Sequence, residues 1–466
     1  MPMQRIRTFS LTAIAVAMAA TAAEAAPPHG YNFTVVETLD GSKYFGDFEP
    51  QDINSRGDVL FASDVTDNGT SAAGEALYGR YNGTTRVIAR AGASIEGTIG
   101  LKYGSYPAGG IYTPAGMNDS GDVAFGFAID GENFGGVFRY DRTHNEVSPV
   151  LLPGDAAPGG THFQGTDFHT DLNNRGEIAT TGVIETLNGH CNVQTLCNGY
   201  GRGIYTFDRF NHATKIAAPG DKAPGSTSTF DDAWDPNLNN SGDVIFGGHV
   251  TGEVCIGAHL LSIGCFENLY LYQASTRDLR SVAHQGDAAP GGGKFNYAFN
   301  GRLNARGDAS FIGQLADDKD PPAKDPRGVF LRQRDGTLLA VARPDDTLPG
   351  GKTMNTTSYS PGSHAIDDAG NVAFSAVLNN DTNGDGIPDT GVYFWSAGTI
   401  VTVVETGTVI PGLGTVAHVN NYYNVQGEPY NANPGVHMNA RGQILTQVVV
   451  KAGGVDANYV VLATPK

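Results

Sequence analysis

Apolar residues alternate with small or polar residues in short stretches along most of the chain, and glycine-rich turns separate these stretches. Val123, Phe125 and Phe127, for example, alternate with alanine and glycine. A period of two is typical of a β-strand, whose successive side chains point to opposite faces. Since the small residues between the large ones are also apolar, we expect both faces of such strands to be buried.

One turn pattern recurs seven times: an apolar residue, Asn or Asp, two variable residues, Gly and a polar residue, followed by a strand. We call it the Asn motif. Asn and Asp accept backbone hydrogen bonds in tight turns, and Gly adopts the positive φ that such turns require. The spacing between copies is 55 to 72 residues, which indicates a repeat architecture. The repeat units begin near residues 53, 117, 172, 238, 303, 366 and 438.

Each unit has the pattern of four strands. The strand after the Asn motif is followed by a second, as at residues 136–140, and by a third that ends in a Gly-Asp-x-x-Pro-Gly turn, as at residues 154–159. A fourth stretch carries aromatic residues, as at 163–168, and leads into the next motif. Repeated four-stranded antiparallel sheets with two apolar faces predict a β-propeller. The open alternative is a solenoid, whose ends need polar caps.

The two ends of the chain favour the closed form. Residues 33–37 match the third strand at residues 401–405 and continue into a fourth strand at residues 44–45, whereas residues 444–450 and 459–462 supply a first and a second strand. We therefore expect two strands from each end to complete a seventh blade, leaving no exposed sheet edge. The predicted fold is all-β: a seven-bladed propeller of one domain over residues 26–466.

The repeats resemble those of a group of bacterial secreted tandem-repeat proteins, β-propeller-like and of unestablished function. Residues 118–125 read N-D-S-G-D-V-A-F and residues 154–159 read G-D-A-A-P-G, the two signatures of that group. The resemblance covers nearly the whole mature chain. It implies a propeller-like fold and export, and it supplies no catalytic residues.

Composition and the first residues indicate the compartment. The 48 acidic and 30 basic residues give a net charge of -18, which excludes nucleic acid as a partner. A basic start with Arg5 and Arg7, an apolar run over residues 11–20 and a small-residue site at 23–25 predict a signal peptide, residues 1–25. The apolar run is shorter than the ~20 residues that span a bilayer, so we expect no membrane span. The mature protein is predicted to be secreted or periplasmic, and monomeric.

Four cysteines fall into two close pairs. Cys191 lies near Cys197, and Cys255 lies near Cys265. In an oxidising compartment this spacing favours two local disulfide bonds, while zinc binding is the alternative.

One loop has the pattern of a calcium site. Oxygen-bearing side chains alternate around a glycine turn, as calcium requires, and the pattern resembles the calcium loops of dockerin and thrombospondin type 3 repeats. Val392 stands where an EF-hand has a bidentate Glu, and a solvated acidic turn is the alternative. The expected ligands are Asp381, Asn383, Asp385 and Asp389, with the carbonyl of Ile387.

A second group of polar residues lies just before each Asn motif and differs from copy to copy. Divergence at one position of a repeat is how repeat proteins build a ligand site, and symmetry places these residues at one end of the ring. We expect a ligand rim formed by Glu49, Asp52, Asp171, Asp235, Asn237, Asn300 and His364, with His169, Arg302 and His437 as candidate catalytic residues.

Two classes of function fit this rim. The first is a binding or scaffolding module for a polysaccharide or another exported protein, assisted by the nearby aromatic residues Tyr44, Phe168, Trp234 and Phe299. The alternative is a polysaccharide lyase or hydrolase. In a lyase, Arg302 would neutralise a substrate carboxylate and His169 or His437 would take the adjacent proton. For any single residue, a solvated loop end remains the simpler interpretation.

Overall fold

The computed structural model describes residues 27–38, 48–65, 74–104, 110–166, 169–185, 200–251, 268–316, 326–355, 360–419, 435–452 and 455–466. The four cysteines and the predicted signal peptide lie outside these residues. The described chain is all-β, with one short 3-10 helix at Pro349–Gly351 as its helical element. None of the described helical residues forms a segment long and apolar enough to cross a membrane.

The first strand and the first sheet show the basic arrangement. The first strand pairs with the C-terminal end of the chain, and the next four follow one another in a single antiparallel sheet. These strands are β1 (Tyr31–Thr38), followed by β2 (Phe48–Ile53), β3 (Val59–Val65), β4 (Gly74–Tyr81) and β5 (Thr84–Arg90).

The next two groups of strands are joined into one ten-stranded sheet. The join is a single parallel pairing between Thr170 and Ala115. Gly116 permits this approach, because a Cβ atom at that position would lie 2.6 Å from the backbone nitrogen of Leu172. The strands are β6 (Ile111–Met117), β7 (Val123–Phe127), β8 (Gly136–Asp141), β9 (Glu146–Leu151), β10 (Ala156–Ala157), β11 (Thr161–Gly165), β12 (Thr170–Leu172), β13 (Ile178–Glu185), β14 (Tyr200–Phe207) and β15 (Ala213–Ala217).

Three separate four-stranded antiparallel sheets follow in chain order. They are β16 (Phe230–Leu238), β17 (Val244–Val250), β18 (Asn268–Gln273) and β19 (Asp278–Ala283); then β20 (Phe295–Leu303), β21 (Ala309–Leu315), β22 (Arg327–Arg332) and β23 (Leu338–Ala342); then β24 (His364–Ile366), β25 (Val372–Val377), β26 (Thr390–Ser396) and β27 (Thr399–Glu405).

The last sheet joins the two ends of the described chain. Its order is β1, β32, β31, β29 and β28, with β30 also paired to β31. Tyr31 pairs with Pro465 and Thr34 with Leu462 in an antiparallel register. Its C-terminal strands are β28 (Val409–Ile410), β29 (Gly414–Val419), β30 (His437–Met438), β31 (Ile444–Ala452) and β32 (Val455–Pro465).

The pairing of the two ends agrees with the sequence prediction, but the phase of the repeat does not. The strand before each Asn motif was expected to end one unit, whereas it forms the first strand of the same sheet as the strand after the motif, as β16 does with β17. The motif turn is short enough to be a hairpin, which is why it joins neighbours within a sheet. Of the two N-terminal strands expected in the shared sheet, one is β1, and the other, at residues 44–45, lies outside the described residues.

Aromatic side chains pack in the same way inside successive sheets. Phe163 with Tyr205, Phe230 with Tyr270, and Phe295 with Phe330 each form an edge-to-face pair with ring centroids 4.8 Å apart. Both faces of strands such as β7 are buried, as the sequence pattern predicts. The apolar clusters join residues of neighbouring sheets, so burial between sheets holds the repeats together.

Hydrogen bonds of the Asn motifs link neighbouring sheets. In the first copy, Oδ1 of Asn54 accepts the backbone N–H of Asp58 at 3.0 Å, and Gly57 has a φ of 85°. Nδ2 of Asn54 donates to the carbonyl of Asn118, in the next copy, at 3.1 Å. The last copy does the same to the first, because Nδ2 of Asn439 donates to the carbonyl of Asn54 at 2.9 Å.

The first strands of the sheets surround a common axis. Each of β2, β6, β12, β16, β20, β24 and β30 contacts the first strand of the next sheet, and β30 contacts β2 again. The residues before the Asn motifs lie on these strands and therefore face the same axial space.

Candidate functional site

Seven of the ten predicted site residues line one cavity on the axis. This cavity, which we call the channel cavity, has a volume of about 190 Å³. Asp235 lies beside it and contacts its lining, while Glu49 and Asn300 are on the same strands but outside the lining. The seven are Asp52, His169, Asp171, Asn237, Arg302, His364 and His437.

Three of these residues tie neighbouring first strands together. Oδ2 of Asp52 accepts the N–H of Met117 at 2.7 Å, and Oδ2 of Asp171 accepts that of Leu238 at 2.8 Å. Oδ1 of Asn237 accepts the N–H of Leu303 at 2.7 Å. All three occupy the position immediately before an Asn motif, two residues before its Asn. This position therefore has a structural role in these copies, contrary to the expectation that its divergence marks ligand binding alone.

The position immediately before the motif is different in two other copies. There it is occupied by Arg302 and His437, which face the channel cavity. Nη1 of Arg302 donates to the carbonyl of its neighbour Gly301 at 3.0 Å. Its nearest carboxylate oxygen is Oδ1 of Asp235, 4.0 Å away. Arg302 keeps 23% of its side chain exposed and lines the channel cavity.

A backbone irregularity places Asp235 against its neighbours. Asp235 and Asn300 both have positive φ, 56° and 52°, where the register of their strands shifts. Asp and Asn tolerate this left-handed conformation better than most residues. The shift turns Asp235 so that its Oδ1 contacts Nδ1 of His169 on the preceding sheet.

His169, Asp235 and Arg302 thus form a chain of contacts across three sheets. Burial, with a further contribution from Arg302, lowers the pKa of His169 well below its usual value, so the imidazole is neutral at pH 7. A neutral imidazole oriented by a carboxylate is the arrangement of a general base. His169 and Asp235 share the same repeat position, four residues before the Asn of their motifs.

His364 and His437 supply two further neutral imidazoles. Burial, and after it the charge of Arg302, lowers the pKa of each imidazole to about 3. A weaker opposing effect comes from the backbone of Ser310 for His364 and from the backbone of Pro50 for His437. Within the described residues, both ring nitrogens of His364 lack a partner at the distance and angle of a hydrogen bond. The same is true of Nε2 of His437. His364 is only 3% exposed. Buried polar atoms without a partner are costly, and they mark sites that a ligand or water completes.

The carboxyl groups of the channel cavity carry less negative charge than usual. Burial raises the pKa of Asp52 to about 7 and raises that of Asp171, in both cases against the effect of backbone hydrogen bonds. The cavity therefore combines one permanent cation, Arg302, with three neutral imidazoles and a partly protonated Asp52.

An apolar ring closes the channel below this cavity. Its members are the apolar residues that open each Asn motif, and all are buried except the half-buried Met438. On its other side lies a second cavity of about 170 Å³, lined by the Asn motifs themselves. Leu238 and Leu303 line both cavities and so form the wall between them. The apolar ring consists of Ile53, Met117, Leu172, Leu238, Leu303, Ile366 and Met438.

Sequence reasoning missed Gln51, which also lines the channel cavity. Its Oε1 accepts the N–H of Ala115 at 3.1 Å, and its own burial is nearly complete. The predicted aromatic residues Trp234 and Phe299 are half-buried on the strands next to the bulges but do not line the cavity. Tyr44 and Phe168 lie outside the described residues.

The predicted calcium loop folds onto its own backbone. Oδ1 and Oδ2 of Asp381 accept the N–H groups of Gly384 and Gly386 at 2.8 and 3.0 Å. Oδ1 of Asn383 accepts the N–H of Asp385, and Oδ1 of Asp385 that of Ile387.

The side chain of Asp389, the last predicted ligand, contacts Thr382 and Lys352. It is fully buried, accepts hydrogen bonds from the N–H and the hydroxyl of Thr382, and lies 3.5 Å from Nζ of Lys352. Within the described residues, no three His, Cys, Asp or Glu side chains are grouped as a metal ion would require.

The chain belongs to a family of unknown function (DUF7453), which it matches over residues 5–451. No curated protein gives a significant match. Among solved structures, it is similar to an oligogalacturonate lyase from Vibrio parahaemolyticus, with a TM-score of 0.50 and 10% identity over 93% of this chain and 97% of that chain. An oligogalacturonate lyase in complex with manganese gives 0.49 and 10%, over 95% and 99%.

The β-propeller domain of the Trilobed protease from Pyrococcus furiosus is also similar, with a TM-score of 0.44 and 10% identity over 90% of this chain and 95% of that chain. At such low identity, likeness concerns the fold and not the chemistry. The fold is propeller-like, with four-stranded antiparallel sheets.

Proposed function

We propose that this protein is a seven-bladed propeller that binds an acidic saccharide in its channel cavity. Seven Asn motifs, and first strands that contact one another from β2 to β30 and back to β2, support the number of blades and the closure. The single observation that carries the function is Arg302. It is a cation on the axis whose nearest carboxylate, that of Asp235, is 4.0 Å away.

A carboxylate-bearing ligand fits this guanidinium better than a neutral one does. Arginine pairs with carboxylates through two parallel N–H donors, and Arg302 spends one described hydrogen bond on the protein. The pKa of Asp52, which burial raises to about 7, reduces the negative charge that would repel an anion. The overall charge of -18 disfavours anionic polymers elsewhere on the surface, which makes a local cationic site more selective.

A panel of saccharides tests this proposal. We expect uronate polymers and their short fragments to bind, neutral glucans of equal length not to bind, and Arg302→Ala to abolish binding. Arg441→Gln provides a matched control, because Arg441 is an exposed arginine in the last Asn motif, away from the channel cavity. Absence of uronate binding, or binding unaffected by Arg302→Ala, would overturn the proposal and leave an exported protein as the partner.

A second candidate function is a polysaccharide lyase, and the contact between His169 and Asp235 favours it. In β-elimination, a base removes the proton on the carbon beside the carboxylate. The electron pair of that C–H bond forms a C=C bond, the glycosidic C–O bond breaks, and the leaving oxygen takes a proton from solvent. Arg302 would stabilise the carboxylate while charge develops on it, and neutral His169 would accept the proton.

Ultraviolet absorbance of the new conjugated double bond distinguishes the two candidates. For a lyase, we expect absorbance to grow with time and to disappear in His169→Gln, while Arg441→Gln retains it. Binding without any growth in absorbance would leave the binding module as the function.

We also propose that the protein is exported and monomeric, with a signal peptide at residues 1–25 and local disulfides Cys191–Cys197 and Cys255–Cys265. The basic, apolar and small-residue segments of the N-terminus support export. Calcium is the ion that we propose for the loop of Asp381, Asn383 and Asp385, whose backbone hydrogen bonds orient these side chains. N-terminal sequencing and thiol titration of the mature protein test export and disulfides directly.

A further inference from the structure

We infer that the channel cavity receives the free end of an acidic saccharide, as one terminal carboxylate-bearing unit, and does not take the interior of a chain. This inference rests on the proposed function.

The apolar ring closes the channel. A polymer that threaded the axis would have to pass the apolar ring, where Leu238 and Leu303 separate the channel cavity from the second cavity. The ring residues Ile53, Met117 and Leu172 are at most 5% exposed. Passing a hydrated sugar between buried aliphatic side chains would remove its hydroxyl groups from water without any hydrogen-bond partner.

The channel cavity is small. At about 190 Å³, the channel cavity is smaller than the roughly 300–1,000 Å³ of pockets that enclose drug-sized ligands. A segment of several sugar units does not fit into it. A single unit does, provided that the rest of the chain leaves by the side from which the unit entered.

The imidazoles that line the channel cavity can form hydrogen bonds with a sugar hydroxyl group. A neutral imidazole offers one donor and one acceptor, which is the pattern that a hydroxyl group can satisfy. His364 and His437 present nitrogens without described partners on the blades that follow Arg302. A terminal sugar unit has one free hydroxyl more than an interior unit, at the position where the interior unit continues as a glycosidic bond. The carboxylate would bind Arg302, and the additional hydroxyl would complete the hydrogen bonds of the imidazoles.

Oligouronates of defined length, titrated into the mature protein by calorimetry, test this inference. We expect the affinity per mole of chain to stay within about threefold from the disaccharide to the decasaccharide, since each chain offers one recognised end. Affinity that rises in proportion to chain length would overturn the inference, because interior binding offers more sites on longer chains.

Chemical modification of the ends gives an independent readout. Borohydride reduction alters the reducing end, and unsaturated oligouronates carry an altered non-reducing end. We expect one of these two modifications to weaken binding at least about tenfold, the loss of one or more hydrogen bonds in a buried site. Equal binding of unmodified, reduced and unsaturated chains would contradict recognition of an end.

Variants separate the failure of this inference from failure of the proposed function. His364→Asn and His437→Asn should lose the preference for the unmodified end, with Arg441→Gln as the control and melting curves to verify folding. If no acidic saccharide binds at any length, the proposed function fails. If long chains bind and short chains do not, only the inference about the end fails.

Discussion

Asn439 donates a hydrogen bond from Nδ2 to the carbonyl of Asn54, a residue 385 positions earlier, at 2.9 Å. Equivalent bonds join Asn173 to Asn239 and Asn239 to Asn304. The last copy of the repeat is thus hydrogen-bonded to the first copy in the same way as Asn173 and Asn239 are bonded to the copies that follow them. One side-chain hydrogen bond of each of these turns is thus made with the next copy.

Asn439→Ala should lower the free energy of unfolding by about 1–3 kcal/mol, because it leaves buried turn groups without partners. Denaturant unfolding measures this. Asn439→Asp is the informative companion: Asp367 already occupies this position in another copy and accepts the N–H groups of its own turn. We expect the Asp variant to retain the turn and lose only the link to Asn54.

Asn32→Ala serves as the control for these variants. Asn32 is exposed on β1, so its replacement should change the free energy of unfolding by less than about 0.5 kcal/mol. Equal stability of Asn439→Ala and the wild type would contradict the role of the Asn motif in closing the repeat array.

Asp52 should make the protein less stable as pH rises. Burial raises its pKa in the folded state to about 7, above the usual value of 3.8, so the folded state holds a proton that the unfolded state has released. Stability from this group is therefore greatest below pH 4 and declines as pH rises to about 7, by at most about 1.4 kcal/mol per pH unit.

Asp52→Asn should remove this part of the pH dependence, because an amide oxygen can still accept the N–H of Met117. Unfolding by denaturant at pH 5 and pH 8 measures the effect, with the variant gaining on the wild type at pH 8. A variant whose stability declines with pH as steeply as that of the wild type would show that Asp52 is ionised in the folded protein at both values.

The sequence predicted the strand pattern, the pairing of β1 with the C-terminal end and seven residues of the channel cavity. It succeeded because the Asn motif marks one point of each sheet, so residues at a fixed distance before it had to converge. It could not distinguish Asp171, whose carboxylate holds Leu238 of the next sheet, from Arg302, which faces the cavity. Both are polar residues at the same repeat position, and only neighbouring strands decide their roles.

The contact of Asp235 with His169 was not predicted either. It depends on a left-handed residue and a shift of strand register, for which Asp235 alone gives little signal. Such local irregularities change the direction of a side chain without changing the hydrophobic pattern.

Asp235→Asn should separate structure from chemistry in this contact. Asn tolerates positive φ and retains an oxygen for His169, so we expect the free energy of unfolding to change by less than about 1 kcal/mol. If the protein is a lyase, removal of the charge should lower the rate at least about a hundredfold, since the imidazolium formed during proton transfer loses its stabilising carboxylate. The two measurements are denaturant unfolding and ultraviolet absorbance; a full rate in this variant would argue against His169 as the base.

Calcium should raise the melting temperature of the wild-type protein relative to the same protein in chelator. Asp381→Ala should abolish this increase, because Asp381 is the first oxygen ligand of the loop and has no described partner outside it. Asp389→Ala should destabilise the protein with and without calcium, because it removes a buried carboxylate that holds Thr382 and Lys352. A melting temperature that chelator leaves unchanged would contradict calcium binding.

Binding of an acidic saccharide by Arg302 is measured by calorimetric titration of a short uronate oligosaccharide into the wild type, Arg302→Gln and Arg441→Gln. We expect Arg302→Gln to weaken binding about 10- to 100-fold, the value of a charge-assisted hydrogen bond, and Arg441→Gln to bind like the wild type. Equal affinity in all three proteins, or equal losses in both variants, would show that the ligand is not held by the cation of the channel cavity.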